Sequence, residues 1–417
     1  MKMLLKALSF ILVSSSSLLV ISCTNNKPSS SQNINSNTMN ANTRNNNNNN
    51  NQNQSNGIIK EKEEVKRDLT EEEKQFVTST FNSQQDAFAT FHNYQDVVNQ
   101  LQVFLAEKNL NEVVLANPEE SNKSLELDQN SNTNTVKVRI FGNLFDFKPR
   151  TVKESVETKY SDGKKEKVIQ LGYSKKTENK VDYYVLNTLD KDTKEVPIHL
   201  PLKVNSLSGA FKGINSAEIV NIDKWDTKNI VSLKETFKDA KTFNQDLSNW
   251  NVSNVKNMSN MFDGADKFDK PLNSWNVSKV TDMESMFDGA MSFNQDLNRW
   301  KTNSLTNLSF TFRSASKFNQ PLDNWNVLKV KSMDGMFSDA TNFNQDISSW
   351  KTNNVESMDG MFSGATSFKQ DLKNWNVSKV GNAQNFAKDI MNNLSKEKLP
   401  SFKSPYSEHN YIYGLRK

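Results

Sequence analysis

Cysteine and histidine, the side chains most given to nucleophilic and metal chemistry, are scarce in this 417-residue chain, and their placement restricts that chemistry. There is one cysteine, Cys23. Its thiolate is a nucleophile, but a single thiol closes no disulfide and builds no cysteine-based zinc site within one chain. The three histidines, His92, His199 and His409, are scattered, so no histidine metal cluster is expected. Asp263-Gly264 and Asp288-Gly289 look like fragments of a calcium loop, yet the alternating acidic ligands and the closing glutamate are missing. No Ser-His-Asp set, paired-acid motif or phosphate-cradling glycine loop is present. The expectation is a protein that is not an enzyme and uses no metal and no cofactor.

The position of Cys23 suggests what its sulfur does. Lys2 and Lys6 supply a positive start, and Ala7 to Ile21 form an apolar core interrupted by Ser14 to Ser17. That core is too short and too Ser-rich for a spanning helix and reads as an export signal. Its end, Val20-Ile21-Ser22-Cys23, resembles a bacterial lipobox. The resemblance implies that Cys23 is lipidated on sulfur, becomes the mature N-terminus and holds the chain on the outer surface of the cell membrane. An ordinary signal peptide with an incidental cysteine is the alternative. Two or more acyl chains anchor stably, where one gives marginal binding.

Residues 1–23 therefore read as a lipoprotein signal peptide. Thr24 to Gly57 is almost entirely Asn, Ser, Gln, Lys and Thr, with too little apolar surface to offset the entropy of ordering. Residues 24–57 read as a disordered tether that spans roughly 30 Å as a flexible coil. The net charge of +4 is small for this length and gives no nucleic-acid footprint.

Residues 58–134 carry a helical region. Thr70 with Glu73 fits a capping box. Val77, Phe81, Phe88, Phe91, Val98, Leu101 and Leu105 recur at threes, fours and sevens, as one amphipathic helix or two shorter ones. Asn109 to Asn134 reads as a loop. Residues 135–203 alternate as strands do, with Val136-Val138-Ile140 and Val181-Tyr183-Val185 each on one face. This small β-rich module is expected to dock on the next segment as its N-terminal cap.

That segment, residues 204–390, is a repeat. The seven tryptophans stand 25 residues apart, from Trp225 to Trp375. Phe237 to Phe362, Phe243 to Phe368 and Ala240 to Ala365 keep the same period, so each 25-residue block is one structural unit stacked on its copies. Leu247-x-x-Trp250-x-Val252 has leucine-rich-repeat spacing, with a short strand expected near Trp250. Val255, Met258, Phe262, Ala265 and Phe268, at steps of three and four, predict a short helix. The expected fold is an α/β repeat solenoid, leucine-rich-repeat-like, with a strand and a helix per 25 residues and a cap or tail at 391–417. The tryptophans are expected in the core.

The motif at Met261 to Ser278, M-F-x-x-A-x-x-F followed by D-K-P-L-x-x-W-N-V-S here and N-Q-D-L in other copies, is similar to the 25-residue repeats of surface lipoproteins of wall-less bacteria (domain of unknown function 285). That family is related to the BspA-like leucine-rich repeats of bacterial surface adhesins. The resemblance implies a surface-exposed repeat protein that varies its repeat number and binds host molecules; it transfers no catalytic residue. Adhesion or protein and glycan binding is the leading expectation, and a variable antigenic coat is the alternative. An anchored enzyme with its site in residues 58–203 has no motif behind it.

If Trp250 and Val252 point inward, Asn249, Asn251 and Ser253 point outward. One outward ladder is then Asn251, Asn276, Lys301, Asn326, Lys351 and Asn376, and the next contains Arg299. Solvation alone accounts for polar residues there. If the ladders bind, Arg299, Lys301 and Lys351 favour an acidic partner, either a glycan or an acidic patch on a host surface or matrix protein. The repeats hold 21 basic and 21 acidic residues, so any such attraction comes from local arrangement.

Overall fold

The structure, a computed structural model, describes residues 66–402 apart from 129–132, 152–153, 162, 179 and 392–393. The readings made for the signal peptide, Cys23 and the tether lie outside the described residues. Among the described residues, no helix is long and apolar enough to cross a membrane.

Two helices open the described chain. α1 (Glu71–Gln84) starts at the expected capping box: Thr70 Oγ1 accepts from the Glu73 N–H at 3.2 Å, and Glu73 Oε2 accepts from the Thr70 N–H at 2.9 Å. The Arg67 guanidinium, at 2.7 Å, and the Thr70 amide pull the Glu73 carboxyl down to about 2. α2 (Tyr94–Leu105) has a second box, between Asn93 and Asp96. The periodic stripe thus divides into two helices that bury Val77 and Phe81 on one and Val98, Leu101 and Leu105 on the other. Phe91 falls in the break between them and is exposed.

The segment read as a loop contains β1 (Val113–Leu115), which was missed because three residues are too few to show a period. It pairs antiparallel with β2 (Val136–Ile140), and β2 pairs with β3 (Asn143–Phe147). Val136, Val138 and Ile140 are all buried, as their alternation predicts. These strands and both helices share one apolar cluster. Next come β4 (Ser155–Val156), β5 (Lys159–Tyr160), β6 (Val168–Gln170), β7 (Tyr173–Glu178) and β8 (Val181–Leu186), in sheets ordered β4-β7-β8 and β5-β6. On β8 the expected face is wrong at its start. Val181 is exposed, and the buried residues are Tyr184, Val185 and Leu186, because the hairpin end of the strand projects beyond the core.

β8 leads into the repeats. Val185 forms a parallel bridge with Ser206, and the series continues through Ser232, Asn257, Asp282, Asn307, Ser332, Ser357 and Asn382, one bridge per repeat. The first copy therefore stacks on β8, and the tryptophans, phenylalanines and methionines form one apolar cluster that also takes in Tyr173, Tyr184 and Leu186. At the far end the Leu372 N–H donates to the Lys398 carbonyl at 2.8 Å, and Phe402 packs edge-on against Phe386.

Within a repeat, both expected elements are corrected. The parallel bridge lies in the Asn257 column, not at Trp250, and the described residues of 204–390 contain no α-helix. The stretch from Met258 to Ala265 is instead two successive turns, closed by Met261 N–H to Met258 carbonyl at 3.2 Å and Ala265 N–H to Phe262 carbonyl at 3.0 Å. Asn260 and Gly264 have positive φ, as a turn with a left-handed third residue requires and a helix forbids. Alternate N–H groups reach the next copy. Met258, Asn260, Phe262 and Gly264 donate to the carbonyls of Asp282, Glu284, Met286 and Asp288 at 2.7–2.9 Å. Consecutive three- and four-residue turns bring the apolar side chains to the inside at the same steps a helix does, which is why the spacing misled. The seven glycines at these two positions, Gly209, Gly213, Gly264, Gly289, Gly335, Gly360 and Gly364, were the available signal. Glu235, Ser285 and Phe310 adopt the same left-handed backbone elsewhere in the series and dilute it.

Candidate interaction face

The face that carries the outward ladders is built from the tryptophan inward. All seven indole N–H groups donate to a backbone carbonyl one layer back, that of Trp225 to Pro197 ahead of the repeats and the other six to the preceding copy; Trp300 Nε1 reaches the Leu272 carbonyl at 2.9 Å and Trp325 the Leu297 carbonyl at 3.1 Å. A buried indole must find such an acceptor. The tryptophans are core, as expected, at 1–4 % exposure. With Trp250, Val252 and Val255 turned in, Asn249, Asn251 and Lys256 are exposed and Ser253 and Asn254 half-buried.

Asn251, Asn276, Lys301, Asn326, Lys351, Asn376 and Arg299 are all exposed, so the structure places every candidate residue on the outside of the array. The asparagines have a local task there. Oδ1 of Asn251, Asn276, Asn326 and Asn376 accepts the N–H two residues on at 3.0–3.2 Å, forming an Asx turn that reverses the chain after the tryptophan. Lys301 and Lys351 cannot make that turn. In their copies Thr302 and Thr352 replace the buried valine and donate Oγ1 to the carbonyls of Asn326 and Asn376 at 3.1 and 3.0 Å.

A second ladder, not anticipated from the sequence, runs along the start of each copy. Oδ1 of Asn244 accepts from the Asp269 N–H, and the pattern repeats from Asp269 to Asn294, Asn319, Asn344 and Lys369, at 2.9–3.1 Å each. Gln295, Gln320, Gln345 and Gln370 donate back to the same column. The signal lay in the recurrent N-Q-D, which reads as an ordinary polar turn until its copies are stacked.

Charge divides by side. From the residue before each tryptophan to the sixth after it, the copies from Trp225 to Trp375 hold ten basic and two acidic residues. From the ninth to the fourteenth after it, on the left-handed turns, they hold four basic and nine acidic. On the turn side three cations pair across copies: Lys212 with Glu235 at 2.8 Å, Lys238 with Asp263, and Arg313 with Asp288. Burial raises the Asp288 carboxyl even against the Arg313 guanidinium. Lys256, Arg299, Lys301, Lys329 and Lys351 on the tryptophan side have no such carboxylate partner among the described residues.

Ahead of the repeats, a cleft of about 500 Å³ lies between α1, α2 and β6–β7, with Phe104, Ile169, Tyr173 and Ile198 on its walls. His199 stands on its rim 3.2 Å from Glu107. His92 is buried against Phe88 and Phe91, its Nδ1 accepting the Ala89 N–H at 3.0 Å. Burial pushes its imidazole down to about 4. Among the described residues, no group of three or more His, Cys, Asp or Glu side chains is placed to hold a metal ion.

A family model described as Mycoplasma protein of unknown function, DUF285, matches residues 205–314 and 296–398. No curated protein and no solved structure matches the chain.

Proposed function

From a repeat array that belongs to the DUF285 family across residues 205–398, we propose that this chain is a lipid-anchored protein of the outer cell surface that binds macromolecular partners through its repeats. The observation that carries this reading is the division of labour within each copy. Every large apolar side chain between Phe237 and Phe368 except Met291, Phe310 and Leu328 is spent on stacking, and the outside is left as largely polar columns. A surface of that kind offers length and repetition and no enclosed reaction site. We assign the finer architecture as an open, leucine-rich-repeat-like solenoid; one parallel bridge per copy and the unbroken apolar column support it.

Equality of the copies favours a second reading, a variable antigenic coat. Phe262–Phe287, Phe287–Phe312 and Phe312–Phe337 stack at 5.6–5.8 Å with nearly parallel rings, so inserting or deleting one 25-residue unit leaves each junction the same. Anchoring through Cys23 is tested by feeding cells labelled fatty acid, which the wild type is expected to incorporate and Cys23→Ser to lose. Retained label in the variant would rule out that anchor. Binding is tested by comparing cells that display the full chain with cells lacking it on immobilised host matrix and host cells. Equal adherence would leave the coat reading in possession.

A further inference from the structure

We propose that the tryptophan-side face of the array binds a linear sulfated polysaccharide along the stacking axis. This deepens the surface-binding reading and rests on it. Three observations on that face point the same way.

The first is charge without neutralisation. Lys256, Arg299, Lys301, Lys329 and Lys351 are exposed, lie within five consecutive copies and have no carboxylate partner among the described residues, although Lys228 and Lys331 on the same side pair with Asp226 and Glu356. The second is the polarity of the hydrogen-bonding groups between them. Each Asx turn consumes the Oδ1 of Asn251, Asn276 and Asn376 and leaves the Nδ2 amide pointing away from the turn as a donor. Lysine and arginine are donors only. The face therefore presents cations and N–H donors in a row, and its other exposed side chains, such as Asn249 and Asn324, can donate as well as accept, which suits a ligand made almost wholly of acceptors. Sulfate and carboxylate groups spaced along a sugar chain are such a ligand.

The third concerns which polyanion fits. The exposed positions of this face from Lys224 to Lys379 contain no aromatic residue, so there is no platform on which nucleic-acid bases could stack. Leu328 is its one exposed large hydrophobe, too little for an anionic membrane to be held by insertion. The copies stack in register, shown by the Asn254 Nδ2 bond to the Lys228 carbonyl at 2.8 Å and the Lys279 bond to Asn254 at 2.6 Å. The cations therefore hold set positions on one extended face, with Lys301 and Lys351 at equivalent places two copies apart, as an extended glycan needs.

The test measures binding of the full chain to heparin, with two variants of equal charge loss. Arg299→Ser with Lys301→Asn and Lys351→Asn removes three cations from the proposed face. Lys241→Asn with Lys267→Ser and Lys317→Ser removes three exposed, unpaired cations from elsewhere on the array. The first variant is expected to weaken binding about ten-fold or more and to flatten its salt dependence, while the second changes it by less than about three-fold. Tryptophan fluorescence confirms that both fold. Equal losses in the two variants would reduce the effect to net charge and overturn the face. Equally strong binding to polyuridylate or to phosphatidylserine vesicles at matched charge would overturn the glycan. A wild type that ignores heparin but still adheres to host cells would remove this proposal and leave the surface-binding reading standing.

Discussion

The region ahead of the repeats and the repeats themselves are held together by different kinds of bond. In residues 66–203 the hydrogen bonds close within helices or between strands of unlike sequence, as in α1 with its own capping box and β2 with β3 in one register. In residues 204–390 short turns close within each copy and a second set of bonds crosses to the neighbouring copy: indole to carbonyl, asparagine to amide, turn to turn. The first kind specifies a unique shape from unique residues. The second propagates one solution, so its energetics are set by nearest neighbours and by what covers the two ends.

The largest expected effect breaks the array where it has neighbours on both sides. Trp300→Ala removes a side chain only 1 % exposed, its 6.0 Å stacking on Trp325 and its bond to the Leu272 carbonyl. A loss of about 3–5 kcal/mol is expected, measured by denaturant titration. Trp225→Ala, in the first copies beside Pro197, is expected to cost less because fraying an end is easier than opening the middle. Equal losses at both positions would mean that the array unfolds as one indivisible unit.

Next in size is a pH effect confined to the other region. His92 is held down to about 4, so the folded state stays neutral where the unfolded chain, at about 6.5, takes up a proton. Above pH 6.5 the neutral imidazole costs the fold nothing; as pH falls below that the protonated unfolded chain is favoured, and the loss of stability amounts to up to about 3 kcal/mol by pH 4. The repeats contain no histidine and hold all seven tryptophans. Between pH 6.5 and 5, the protection of α1 and α2 amides against hydrogen exchange, relative to their intrinsic rates at each pH, is expected to fall while the tryptophan-monitored transition stays flat. Parallel changes in both signals would show the two regions to be one cooperative unit.

The smallest effect sharpens the comparison by removing one rung. Asn294→Ala leaves the Asn319 N–H and the Gln320 amide without their acceptor, at an expected cost of about 1–2 kcal/mol in the same titration. A change within error would show that water replaces the ladder.

Period and composition were legible because stacking equivalent residues leaves no other arrangement for a tryptophan every 25 residues. The sequence alone assigned Trp250, Phe262 and Phe268 to the core, and 0–3 % exposure agrees. It placed Asn251, Lys301 and Lys351 on the outside for the same reason, since a chain that turns Trp250 and Val252 inward turns their neighbours outward. The capping box at Thr70 was equally local, needing only residues three apart.

What the sequence left open were features made by two copies together. A step of three and four is the same number whether a helix or a pair of turns produces it; the difference is where Met258 and Phe262 send their N–H groups, and they send them to the next copy. The role of Asn294 depends on Asn319 lying one layer away, 25 residues distant in the chain. The segregation of charge is invisible in a balanced count of 21 and 21, because sign along the chain becomes sign on a face only when the coils are in register. Local chemistry along the chain determined what is buried and what is repeated. Backbone bonding between neighbouring copies decided how, because a hydrogen bond between layers has no signature within either layer alone.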